Sequence, residues 1–210
     1  MTGHVITVAQ QKGGSGKTTL VANLALRYAA AGKSVAVLDT DPQGSLGRWF
    51  MARREKTDGA AGIEFATASA WGVSYECEKL RKTHDLVLID TPPKIDADLR
   101  PALRESDLVL IPVAASHVDL WATESVRELA RREDRPVLAV LNRISARAKL
   151  TAGIREAMDR MELPRAEAAL GSRVAYAEAL GDGSAAFEKA RRRPAAAESA
   201  PLADELMAAL

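Results

Sequence analysis

Short apolar runs alternate along the chain with stretches whose apolar residues recur every three or four positions. The runs fall at 4–9, 34–39, 63–67, 85–90, 107–112 and 136–141. Several, such as Asp-Leu-Val-Leu-Ile-Asp at 85–90, are apolar at consecutive positions. A strand shows this when helices cover both of its faces. After the first run, Leu20, Val21, Leu24, Ala25 and Tyr28 share one helical face, and Gly32 sits where a glycine closes a helix. Further helices are predicted at 74–83, 98–105, 120–133, 150–161, 174–180 and 200–210. The alternation predicts βαβ units in one α/β domain over 1–210, with a mostly parallel twisted sheet and helices on both faces. Residues 53–62 are polar and glycine-containing and read as a loop. Residues 189–201 are rich in arginine and alanine and read as a helix end and loop, or as a partly mobile segment. No internal repeat or domain linker is apparent.

Composition narrows the classes. A length of 210 residues suffices for one full core. The net charge of +1 excludes a global basic field, so any nucleic-acid surface must be a local patch. Cys77 is the single cysteine, which excludes an internal disulfide and a multi-cysteine metal site made by one chain. It is expected to be a small buried or half-buried residue. The first residues lack a basic segment followed by an apolar one, and no run has the length of a membrane span. The expected location is the cytoplasm.

The densest chemical signal lies between the first strand and the first helix. Residues 10–19 read Gln-Gln-Lys-Gly-Gly-Ser-Gly-Lys-Thr-Thr. Gly13, Gly14, Ser15 and Gly16 make a loop whose backbone N–H groups can turn inward, and the helix N-terminus adds to that anion site. Lys17 can reach β- and γ-phosphates, the Thr18 hydroxyl can ligate Mg²⁺, and Thr19 completes the segment. The fold class is therefore that of a P-loop NTPase, with ATP and Mg²⁺ as expected cofactors. Asp90 ends an apolar strand, where open α/β sheets bind ligands, and suits the acidic partner that such a metal needs. An aspartate before Thr91-Pro92-Pro93 also suits a turn. Asp39 and Asp41 lie two apart in Asp39-Thr40-Asp41-Pro42-Gln43-Gly44. On an extended segment they point to opposite sides and so divide their roles. Asn142 follows another strand; its amide could meet an adenine edge or simply end the strand in a turn.

With Lys12 heading the loop, the chain resembles the deviant Walker A ATPases of the ParA/MinD group. The match runs from residue 4 to about 193 and is strongest at 10–19, 39–44 and 85–93. It looks most like small ParA-type partition ATPases that lack an N-terminal helix-turn-helix. The resemblance implies that Lys12 crosses a dimer interface to the partner's phosphates. It implies that Asp41 positions or activates the attacking water, making Lys12, Lys17 and Asp41 the catalytic set. It places Asp39 with Thr18 and Asp90 near the metal, and Asn142 and Arg143 at the base. It further implies an ATP-dependent homodimer, nonspecific DNA as a partner, association with the nucleoid, and a ParB-like or other cargo adaptor that stimulates hydrolysis. Arg173, with Ala177 and Gly181, matches a segment whose leading arginine contacts DNA; Lys189, Arg191, Arg192 and Arg193 stand where a second contact is expected. The cargo implied is a plasmid or chromosome, or alternatively a protein assembly such as a chemoreceptor cluster or carboxysome. A membrane-cycling regulator of the MinD kind fits less well. The chain's last stretch carries Asp204 and Glu205 and no lysine or arginine, the wrong sign for an anionic surface.

Overall fold

The computed structural model describes residues 3–93, 99–145, 148–189 and 194–210. Among these residues the strands are β1 (His4–Val8), β2 (Val35–Asp39), β3 (Glu64–Thr67), β4 (Leu86–Asp90), β5 (Leu108–Val113), β6 (Val137–Ile144) and β7 (Arg165–Gly171). They join in one sheet in the order β3-β2-β4-β1-β5-β6-β7, and every pairing is parallel. The helices are α1 (Lys17–Ala30), α2 (Ser45–Lys56), α3 (Gly72–Arg81), α4 (Leu99–Glu105), α5 (His117–Trp121), α6 (Thr123–Arg132), α7 (Ala148–Arg160), α8 (Val174–Gly181), α9 (Ala186–Lys189) and α10 (Pro194–Ala208).

Strand alternation sorts the core into two layers. Ile6, Val8, Val35, Val37, Leu86, Leu88, Leu108 and Leu110 face one side with residues of α1, α8 and α10. Val5, Ala36, Leu38, Val87 and Ile89 face the other, against α3, and Val109, Ile111 and Val113 meet α4, α6 and α7 there. Every residue of β2, β4 and β5 is buried, as the consecutive apolar runs require. β1 lies between β4 and β5. The strand order reverses about it, and the crevice beyond its carboxyl end is where such sheets take ligands.

Several elements differ from the sequence reading, including α9, which was not among the helices read. The helix read at 120–133 is two, α5 and α6, joined at Ala122, where the Thr123 hydroxyl donates to the Leu120 carbonyl. α2 covers part of the stretch read as a loop; only Leu46 and Trp49 of its twelve residues are buried, so its apolar signal is sparse. β7 gave no signal because Arg-Ala-Glu-Ala-Ala-Leu-Gly has no β-branched residue. Its free edge is satisfied from α10: Glu205 accepts the N–H groups of Glu167 and Ala168 at 2.7 and 2.9 Å. α10 begins at Pro194, so 194–201 is helical rather than loop.

Cys77, on the buried face of α3, is fully buried, and burial pushes its thiol up to about 12. Among the described residues, no helix is long and apolar enough to cross a membrane.

Candidate nucleotide site

β1 delivers the glycine loop to the centre of the crevice, and α1 starts at Lys17 directly after Gly16. No side chain caps the first turn of α1, so its N–H groups are free for an anion. Gly16 has φ 93°, and a Cβ there would stand 2.5 Å from Asn142 Nδ2; the loop closes this tightly only without a side chain. Gly13, Gly14, Gly16, Lys17, Thr18 and Asp41 border a cavity of about 320 Å³. Lys17 is buried, which lowers its pKa against the opposing pull of Asp90 and Asp41. Its ammonium donates to the Gln10 carbonyl at 3.1 Å. Gln10 itself, 1% exposed, donates to the Pro112 carbonyl and ties the start of the loop to β5. Sequence reasoning missed this role, because a glutamine ahead of a glycine loop carries no distinctive spacing.

The parallel register sets Asp39 beside Asp90 at the ends of β2 and β4. The Thr18 hydroxyl donates to Asp90 Oδ2 at 2.7 Å. Asp90 Oδ1 is buried with no hydrogen-bond partner. Burial raises this carboxyl to about 7; the Thr18 hydrogen bond opposes that rise, and nearby Asp39 adds to it. A buried, unpartnered carboxylate oxygen beside a hydroxyl fits Mg²⁺, which takes one or two protein oxygens and completes its shell with phosphates and water. Among the described residues no group of three or more His, Cys, Asp and Glu could hold a metal alone, so the phosphates would have to share the ion.

Asp39 and Asp41 make different contacts. Asp39 Oδ1 accepts the Asp41 N–H and Oδ2 accepts the Gly47 N–H, each at 3.0 Å. It thereby anchors the loop after β2 and caps the first turn of α2. Asp39 lies beside Asp90, and both of its oxygens serve backbone. Asp41 accepts the Gln43 N–H at 2.9 Å and borders the phosphate cavity.

Lys12 does not point into its own cavity. Its ammonium lies 2.7 Å from Asp119 Oδ2 on α5, with the lysine 42% exposed and the aspartate 5%. Asn142 donates to the Ser15 carbonyl at 2.8 Å and accepts the Arg143 N–H at 2.9 Å. These two bonds use one of the two donor sites and one of the two acceptor sites of its amide. Arg143, at φ 55°, reaches back to the Gly14 carbonyl. Arg173 pairs with Glu198 at 2.8 Å and Lys189 with Asp182 at 2.8 Å, so each shares its charge with an acid of its own chain. Arg191, Arg192 and Arg193 lie outside the described residues.

A family model described as the CobQ/CobB/MinD/ParA nucleotide binding domain matches residues 6–186. The chain belongs to this family. Its ParA/MinD character agrees with the lysine-headed loop. The maintenance of carboxysome distribution protein A of Halothiobacillus neapolitanus is 30% identical over 209 residues, covering 96% of this chain and 95% of that one. The chromosome-partitioning ATPase Soj of Thermus thermophilus is 34% identical over 149 residues, 59% of each chain. In fold, the chain is similar to the septum site-determining protein MinD of Pyrococcus horikoshii, solved with Mg-ADP. The TM-score is 0.80 at 20% identity, over 97% of this chain and 95% of that one.

Proposed function

We propose that this family member is a positioning ATPase of the ParA kind. It binds Mg²⁺–ATP, closes face to face with a second copy, holds nucleoid DNA nonspecifically, and lets go when a cargo adaptor stimulates hydrolysis. One observation carries the dimer. Lys12 heads the phosphate loop yet serves no group inside its own cavity, which Lys17 already supplies with a cation. A half-exposed ammonium at the rim supports this reading, since on leaving Asp119 it could meet a polyphosphate bound by the facing copy. Val118 and Trp121, 57% and 68% exposed on the same short helix as Asp119, offer an apolar contact beside it.

In hydrolysis, the loop N–H groups and Lys17 hold the β- and γ-phosphates in place. Asp41 orients a water on the γ-phosphorus. The new P–O bond forms as the β–γ bridge breaks; one proton of the water stays on the phosphate and the other is released to solvent, leaving ADP and inorganic phosphate. Mg²⁺, held by Thr18 and Asp90, would neutralise charge on the phosphate oxygens.

The similarity to a carboxysome distribution protein over nearly the full length of both chains favours a protein assembly as cargo over a plasmid or chromosome. Membrane cycling is disfavoured because α10 spends its apolar face, Leu202, Ala203 and Leu206, on the core. DNA contacts are assigned to Arg191–Arg193, with Lys189 and Arg173 available only if they leave Asp182 and Glu198.

Light scattering with no nucleotide, ADP and ATP tests the scheme. Wild type should dimerise only with Mg²⁺–ATP, and Asp41→Ala should hold that dimer by slowing hydrolysis. An Asp41→Ala protein that stays monomeric at saturating ATP would overturn it.

A further inference from the structure

Beside the phosphate cavity lies a second one of about 230 Å³ that shares Gly16, Thr19, Arg143 and Leu180 with it. The two form one continuous crevice, a phosphate half and a half with room for a nucleoside. The far wall of the second half is Ser172, Arg173 and Tyr176, from the junction of β7 and α8. That wall is held by one side chain on the C-terminal helix. Glu198 Oε1 accepts from Arg173 Nε and Nη2 at 3.1 and 2.8 Å. Its Oε2 accepts the Gly171 N–H at 3.0 Å and the Tyr176 hydroxyl at 3.1 Å. The Arg173 guanidinium lies across Gly171, so close that a Cβ there would meet Nε at 2.6 Å.

We propose that Arg173 contacts the base of the bound nucleotide and that Glu198 is the positioning residue that holds it for this contact. The chemistry selects the ligand. A lone guanidinium would draw a phosphate, but this one is already paired with a carboxylate that is only 15% exposed. The pair is neutral, and its planar cation still stacks on an aromatic ring. Ala177 and Leu180 supply the apolar remainder of the wall. An uncharged heteroaromatic ring fits such a surface better than a second anion. The assignment rests on the nucleotide reading above, and it ties α10, distant in sequence from every loop motif, to nucleotide affinity.

Calorimetry on the full chain with two probes, Mg-ADP and inorganic tripolyphosphate, tests it. Tripolyphosphate occupies the phosphate half alone. Arg173→Ala and Glu198→Ala should each weaken ADP about tenfold, the scale of one guanidinium–ring contact, and leave tripolyphosphate within twofold. Because the two residues act as a unit, the double variant should lose no more than either single one. Arg173→Ala leaves the Glu198 bonds to Gly171 and Tyr176 in place, so it tests the contact without unseating α10. Equal losses for both probes in Glu198→Ala would reduce that residue to a fold element and overturn the proposal. Unchanged ADP affinity in Arg173→Ala would also overturn it, and if DNA affinity fell in that variant the arginine would belong to a DNA surface. Failure of wild type to bind either probe would instead sink the nucleotide reading.

Discussion

Asp90 meets two opposed demands. Its carboxylate is 1% exposed, with one oxygen on Thr18 and the other without a partner. Burying a charge so incompletely paired costs stability in the absence of a counter-ion. Asparagine keeps the shape and the acceptor for Thr18 but removes the charge. Asp90→Asn should therefore raise the stability of the metal-free chain by about 1–3 kcal/mol and abolish the Mg²⁺ dependence of nucleotide affinity. Thermal melts in chelator, beside titrations with and without Mg²⁺, read both effects. A lower melting temperature in chelator would show that Lys17 and Thr18 already satisfy the charge. The placement of Lys17, Thr18 and Asp90 around one corner was legible because each is fixed by spacing from a strand end. That of Asp39 was only half legible, because which N–H groups its oxygens meet depends on how α2 folds back.

At the scale of elements, α10 couples core and edge. Leu202 and Leu206 are fully buried against the α1 side of the sheet, Glu205 satisfies the edge of β7, and the Tyr28 hydroxyl donates to the Ala203 carbonyl at 2.9 Å. Leu206→Ala should cost about 2–5 kcal/mol. At roughly 2–4 °C per kcal/mol for a chain of this size, a 3 kcal/mol loss lowers the melting temperature by about 6–12 °C. A shift under about 2 °C would mean that α10 is frayed in solution and leaves the β7 edge open. The helix read at 200–210 is real, but its start and its partner are not written in its own residues. An alanine-rich segment has helix propensity without a strong apolar stripe to mark its ends. β7 is the reverse case, a strand made by pairing with β6 and covering by α10 rather than by propensity.

For the whole molecule, the decisive pair spans the chain from Lys12 to Asp119. If Lys12 is to reach a facing copy, the contact with Asp119 must break first. An ion pair with one half-exposed end is worth at most about 1 kcal/mol, so this contact can bias the dimer but not lock the monomer. In an Asp41→Ala background with ATP, Asp119→Asn should tighten dimerisation by no more than about fivefold. Analytical ultracentrifugation measures the constant. A weaker dimer would place Asp119 across the interface rather than within the chain.

Local chemistry determined most of the strands and helices, though not β7, and the glycine loop between β1 and α1. Each depends on a few residues at fixed spacing along one segment, and the backbone does the rest. Tertiary structure decided what depends on distant segments meeting. Glu198 stands beside Arg173, 25 residues away in the chain. Gln10 fastens the loop to β5 across 102 residues. Lys12 rests on Asp119 across 107. Neither member of such a pair carries a local signal for the other, because only closure of the sheet and docking of α5 and α10 bring them within hydrogen-bonding distance.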